Sequence, residues 1–257
     1  MFRLKIFNNH LMLQDFKYLV NLVQNRLKNL TMKLVNFHTH KPQFNSNSIC
    51  VVPYDVDSFN LYSSSHYKTI GLHPWKTESS EISHWLGKLN ELAKQPDFIG
   101  IGEIGLDRLK GAPLKNQIDI FERVVGIATE HKKPIIIHCV RCWTELIAIL
   151  SKSKYHDIPK AIHGFRAKAD VAKQLVDNGF YLSFGTALIH ATPELAEALT
   201  LVPRNKLFLE TDDTEIPIYE VYDAAADILD STIEELVSAT NQNLLTFFGN
   251  TLPDKSK

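Results

Sequence analysis

Three cysteines, an odd number in 257 residues, are too few for a disulfide framework. Their scarcity fits a reducing compartment, so the cytoplasm is the expected location. Long hydrophobic runs are missing too. No stretch approaches the roughly 18 apolar residues of a membrane span, and no charged, apolar and small-residue succession resembles a secretory signal. Neither charge is in excess: 28 lysines and arginines face 29 aspartates and glutamates, and the pI is near 6.8. The chain therefore offers no basic stripe for duplex nucleic acid. Low-complexity tracts, linkers and repeats, which would mark a second domain, are also absent. What remains, 44% hydrophobic and 22% charged residues, suits a soluble globule with a sizeable core.

Charge is nonetheless uneven. Before Met32 the chain holds Arg3, Lys5, Lys17, Arg26 and Lys28 against the single acid Asp15, a formal +4. The rest carries 23 basic and 28 acidic residues, a formal −5. Within residues 1–31, Leu13, Phe16, Val20, Val23, Leu27 and Leu30 would form one apolar stripe on a helix. Such a basic amphipathic helix could dock on the domain, join a partner, lie on a membrane or act as a presequence. Equally, Met32 could be the true start, with residues 1–31 an over-called extension. Residues 32–257 are expected to form one domain, and the protein is expected to be a monomer with no membrane partner.

From Leu34 onward, strand and helix patterns alternate. Strands are predicted at Leu34–Phe37, Ile49–Val52, Thr69–Leu72, Phe98–Ile101, Pro134–Ile137, Ala161–His163, Tyr181–Phe184 and Leu207–Leu209. Helical period appears in Trp85, Leu86, Leu89 and Leu92, and in Ile118, Phe121, Val125 and Ala128. A last helix opens with Ser231 and Glu234 at capping-box spacing and stops before Gly249. Eight strands alternating with helices predict an α/β (β/α)8 TIM barrel. The segments Lys41–Cys50 and Tyr54–Lys68 lack helical period, so the first βα units are expected to be shortened to loops.

Polar residues fall at the C-terminal strand ends, the active face of such barrels. His38 and His40 close the first strand in NFHTH, and their i, i+2 spacing points both the same way, able to grip one ion. His73 follows the third strand in GLHPW. Glu103 closes the fourth, His138 the fifth, His163 the sixth and Asp212 the eighth. Singly, each could be a satisfied core residue or a helix cap. Jointly, burying four histidines and two carboxylates on one rim costs several kcal/mol unless something satisfies them, and divalent cations do so.

The ordered motifs NFHTH, GLHPW, IGEIGLD, KPIIIH, HGF and LETDD resemble the TatD family of metal-dependent hydrolases among the amidohydrolase-like barrels, over Met32 to about Asn250. The resemblance implies two or three divalent ions and phosphoester hydrolysis, as a deoxyribonuclease or an exonuclease on DNA ends. By motif, His38, His40, His138 and His163 match metal ligands, Glu103 a bridging carboxylate and Asp212 a metal-bound acid. Two departures stand out. Asn36 replaces an acid two residues before the first histidine, and Trp75 replaces the second histidine of an H-P-H.

Imidazole and carboxylate without thiolate suit Zn²⁺, Mn²⁺, Co²⁺ or Mg²⁺. Ions bridged by Glu103 would activate a hydroxide, with Asp212 orienting it and accepting its proton. His73, Arg141 and Arg166 are expected to contact a DNA or nucleotide phosphoester. A metallo-amidohydrolase or lactonase on the same barrel, or a non-catalytic metal-binding protein, are the alternatives. Cys139 and Cys142 form a lone C-x-x-C without a second pair, which argues against a structural zinc. GIGEIG lacks the lysine of a phosphate loop and reads as close backbone packing.

Overall fold

The computed structural model describes residues 32–42, 47–57 and 66–253. The apolar stripe expected over Leu13 to Leu30 lies outside them. All eight strands form: β1 (Leu34–Asn36), β2 (Ser48–Asp55), β3 (Tyr67–Gly71), β4 (Phe98–Asp107), β5 (Ile135–Val140), β6 (Lys160–Ile162), β7 (Tyr181–Phe184) and β8 (Leu207–Leu209). They pair in parallel and in chain order. Helices follow from the third strand on: α1 (Ile82–Ala93), α2 (Leu114–Glu130), α3 (Trp143–Leu150), α4 (Ala169–Asp177), α5 (Pro193–Leu201), α6 (Ile218–Leu229) and α7 (Ile233–Phe248). The described residues of the first two connections contain no helix, and residues 43–46 and 58–65, on which the expected shortening turns, lie outside the described residues. No helix among the described residues is long and apolar enough to cross a membrane.

Two differences from the sequence reading have local causes. The cap of α7 sits one residue later than predicted, on Thr232, whose hydroxyl accepts the Glu235 N–H while the Glu235 carboxylate accepts the Thr232 N–H. Ser231 joins from outside by donating to Glu235 Oε2 at 2.7 Å. β4 runs to Asp107 instead of ending at Ile101, because a bulge lets it continue. Its register against β5 passes from Ile101↔Ile135 to Ile104↔Ile137, an extra residue on β4. Gly102 and Gly105 permit this: a Cβ on Gly102 would meet Ile136 Cβ at 2.8 Å, and Gly105 has φ +152° with the His138 carbonyl where a side chain would stand. Close backbone packing is therefore what GIGEIG encodes.

The barrel interior is apolar below and polar above. Val35, Phe37, Val51, Ile99, Ile136, Ala161, Tyr181 and Phe208 fill its lower half, with Phe247 and Phe248 of α7 packed against them. Phe37 and Phe208 stack at 3.9 Å, and Phe247 meets both edge-on. Two residues beyond Ile136, Ala161 and Phe208 come His138, His163 and Glu210, so strand alternation sets a polar layer directly on the apolar one.

The seam between β8 and β1 closes at the same level. Phe37 N–H donates to the Leu209 carbonyl at 3.0 Å, Asp212 N–H to His38 at 3.0 Å, and His40 N–H to Asp212 at 2.9 Å. Thr39 and Asp212 form a parallel bridge. Lower down, α6 serves the seam: the buried Tyr222 hydroxyl accepts from Val35 N–H at 3.1 Å and donates to the Val35 carbonyl at 3.0 Å. Tyr222→Phe keeps the ring but strands both backbone groups. It is expected to cost about 1–3 kcal/mol, the usual penalty for an unsatisfied buried group, read as a lower urea midpoint with unchanged slope.

Candidate metal centre

Glu103 is the hub. The β4 bulge carries its side chain to the middle of the polar layer, where the residue is 6% exposed. Its oxygens divide the histidines between them. Oε1 faces His163 Nε2 at 2.8 Å, His138 Nδ1 at 2.9 Å and His73 Nε2 at 3.0 Å. Oε2 faces His38 Nε2 at 3.4 Å and His40 Nε2 at 3.5 Å. Burial alone would raise the Glu103 carboxyl, but the imidazoles of His163, His138 and His38 hold it well below the ordinary range.

Two of these rings are backed by a second carboxylate. His138 turns Nε2 to Asp107 Oδ2 at 3.3 Å, and His163 turns Nδ1 to Glu210 Oε1 at 3.5 Å. A carboxylate behind a histidine orients the ring and raises its basicity toward whatever it faces in front. Burial works against a charged His163, yet Glu103 and Glu210 lift it well above its ordinary value. Glu210 is the functional residue that motif reading passed over. It is fully buried, accepts the Gly164 N–H at 2.7 Å, and its position two residues after inward-facing Phe208 was the signal available.

Asp212 ends the seam in a left-handed conformation, φ 53°, which short polar residues tolerate. This turn points its carboxylate back over the histidines, with Oδ1 at 3.9 Å from His38 Nε2 and 3.8 Å from His40 Nε2. Asn36 sits beneath as a clip. Its amide donates to Thr211 Oγ1 at 2.8 Å and accepts the Thr211 N–H at 3.0 Å, tying β1 to the end of β8. An amide suits this two-way bond better than an acid would, and none of its atoms faces the histidines.

His73 differs from the other rings. Its Nδ1 accepts the Trp75 N–H at 3.2 Å, which puts the proton of the neutral ring on Nε2, so it donates to Glu103 instead of offering a lone pair. The open cavity above the hub has a volume of about 300 Å³ and is lined by His40, Tyr54, Asp55, His73, Trp75, Lys76 and Asp213 as well as the cluster. Arg141 and Arg166 are exposed and do not line it. At Arg141 a φ of 56° turns the chain between β5 and α3, and the Arg108 guanidinium takes its carbonyl at 3.0 Å. The cation on the wall is Lys76, paired with Asp57 at 2.7 Å and Asp55 at 3.2 Å. Cys139 is a free thiol that burial pushes far up, so it offers no thiolate to the site.

The donors fit divalent cations. Among the described residues, His38–His40–Glu103 and His38–His163–Asp212 each place three ligand atoms within 4.8 Å of one another; His73–Glu103–His138 does so too, but there the His73 nitrogen that faces Glu103 carries its proton. His38 is fully buried, and among the described residues neither ring nitrogen has a hydrogen-bond partner. Burial and the neighbouring His163 lower its pKa to about 4, so it stays neutral with a lone pair available, the form a metal takes. His40, next to Glu103, is shifted the opposite way.

A parallel eight-stranded barrel with this carboxylate and imidazole ring at its C-terminal mouth is the architecture of a metal-dependent hydrolase. The chain belongs to the family described as TatD related DNase, whose model matches residues 25–249. An uncharacterized metal-dependent hydrolase of Buchnera aphidicola is 30% identical over 69% of this chain and 70% of its own. A Citrobacter koseri protein named 3'-5' ssDNA/RNA exonuclease TatD is 30% identical over 57% of each chain. Among solved structures, a TatD homologue from Escherichia coli superposes with a TM-score of 0.71 at 20% identity, covering 86% of this chain and 98% of that one.

Glu210→Gln tests the backing role. Glutamine keeps an acceptor for Gly164 but removes the charge behind His163, so divalent-metal affinity is expected to fall about 10- to 100-fold, the usual scale for such partners. Competition titration against a metal-sensitive dye measures it.

Proposed function

We propose that the protein is a divalent-metal-dependent phosphodiesterase that acts on single-stranded ends of DNA or RNA. The observation that carries the reading is the division of labour at Glu103, one oxygen facing His138 and His163 and the other facing His38 and His40. His38, His40, Glu103, His138, His163 and Asp212 are the residues that would hold divalent ions there. Divalent ions held there would supply Lewis acidity, activating water near neutral pH and polarising a phosphoryl oxygen. The chain's own groups do the rest. Asp212, one-third exposed at the mouth, accepts the proton of the attacking water. His73, its proton on Nε2, is placed to donate to a substrate oxygen once Glu103 is engaged elsewhere.

Charge sets the substrate form. The whole chain carries a formal −1 and residues 32–257 a formal −5, which gives a duplex backbone little to hold, whereas an open cavity lined by aromatic and polar side chains suits a strand end. The exonuclease name of a relative supports the same class. Three free cysteines fit a cytoplasmic setting.

Chelation is expected to abolish phosphodiester hydrolysis and lower the melting temperature, because the ions relieve repulsion among the packed donors. Elemental analysis and melting curves with and without chelator measure both, and full turnover in chelator refutes the reading. Asp212→Asn keeps size and one ligand oxygen but loses the base, so metal should remain while turnover falls about 10²-fold or more. Turnover within about threefold of the parent in the metal-replete variant would remove Asp212 from the proton step.

A further inference from the structure

Trp75 is 48% exposed although it is one of the largest apolar side chains of the protein, and it lines the same cavity as the donor cluster. It is also held firmly. The indole Nε1–H donates to Asp107 Oδ2 at 2.6 Å, the backbone N–H is fixed on His73, and the ring packs against the His73 and His138 imidazoles with centroids at 4.7 and 5.8 Å. The Lys110 ammonium sits 3.9 Å from the ring centroid. Asp107 anchors the assembly: its other oxygen accepts the Leu109 and Lys110 N–H groups, so one buried carboxylate fixes both the ring and the loop that carries the lysine.

We propose that Trp75 is a stacking platform for an unpaired nucleobase adjoining the scissile phosphodiester, the Lys110 ammonium that lies over the ring moving aside to meet the neighbouring phosphate. The proposal rests on the phosphodiesterase reading above and adds what recognises the substrate. Three observations support it. Nearly half of a large aromatic side chain stays exposed on a cavity wall, 48% of Trp75, and a base, flat, apolar on its faces and tolerant of sequence, can take the place of the Lys110 ammonium that lies over the ring. Because the ring is already immobilised, stacking costs little ordering entropy. And since Asp107 contacts both Trp75 and His138, the platform stands at a fixed offset from the donors, so a base on the ring sets its phosphate beside them. A chain with a formal −5 over residues 32–257 cannot rely on charge to hold a strand. Stacking supplies affinity that lysines and arginines do not.

The test uses short single-stranded oligonucleotides, intact or with one base removed at successive positions, and the parent, Trp75→Ala and Trp75→Phe proteins. Binding is followed by fluorescence anisotropy in chelator, and turnover with metal restored. The parent should prefer the intact strand over one abasic position by about tenfold, the scale of one base–aromatic stack. Trp75→Ala should bind intact and abasic strands alike, with the loss in KM and not in kcat. Trp75→Phe should keep most of the preference although it cannot reach Asp107. A parent indifferent to every abasic position overturns the proposal, as does Trp75→Ala retaining the preference. Phe behaving like Ala, with all strands weakened equally, assigns the tryptophan to holding Asp107 and overturns it too. If the metal-loaded parent cleaves no strand, the phosphodiesterase reading fails, while the binding ratios still decide whether Trp75 stacks a base.

Discussion

Five imidazoles converge on one buried carboxylate. An ionised Glu103 at this depth costs several kcal/mol unless it is compensated, and the surrounding rings, at 2.8 to 3.5 Å, provide that compensation. The arrangement obliges five loci of the barrel to arrive together: the residues just after β1, β3 and β6 and the interiors of β4 and β5. It also dictates the path of β4. An acid closing an ordinary strand would stand at the rim, whereas the extra residue of the bulge and the bare glycines beside β5 let Glu103 reach the centre while the strand continues to Asp107.

Closure of the barrel and assembly of the site share the same bonds. Asp212 pairs through its backbone with His38 and His40, the two residues whose rings its carboxylate faces. Asn36, Thr211 and Thr39 extend that seam as a hydrogen-bonded chain. The asparagine at position 36, a departure from the family's acid, thus serves the join between first and last strands. The backbone bonds that close the barrel thus also set the spacing of these donors.

Much of this was legible in the residues themselves. Although Glu103 and His138 lie inside β4 and β5 and not at their ends, strand and helix patterns located all eight strands, because each depends on near neighbours in the chain. What was not legible depends on distant ones. The bulge in β4 exists only against β5. Glu210 acquires its meaning from His163, and Asp107 from both His138 and Trp75, across loops the sequence does not measure. Arg141 and Arg166 looked like phosphate contacts by their offset from a histidine, yet loop geometry carries both out of the cavity, and Lys76, which no motif marks, lines it. Thr232 and Ser231 both satisfy the spacing rule for the cap of α7, and Thr232 takes the position with the extended backbone a cap requires, φ −89° and ψ 155°.

The aromatic layer beneath the donors has a consequence for traffic. Phe37, Phe208, Phe247 and Phe248 fill the lower bore without exposure, so the barrel is a cup and not a tunnel. Whatever enters must leave by the same mouth. On the phosphodiesterase reading proposed above, a strand end and the piece cut from it would share that one opening.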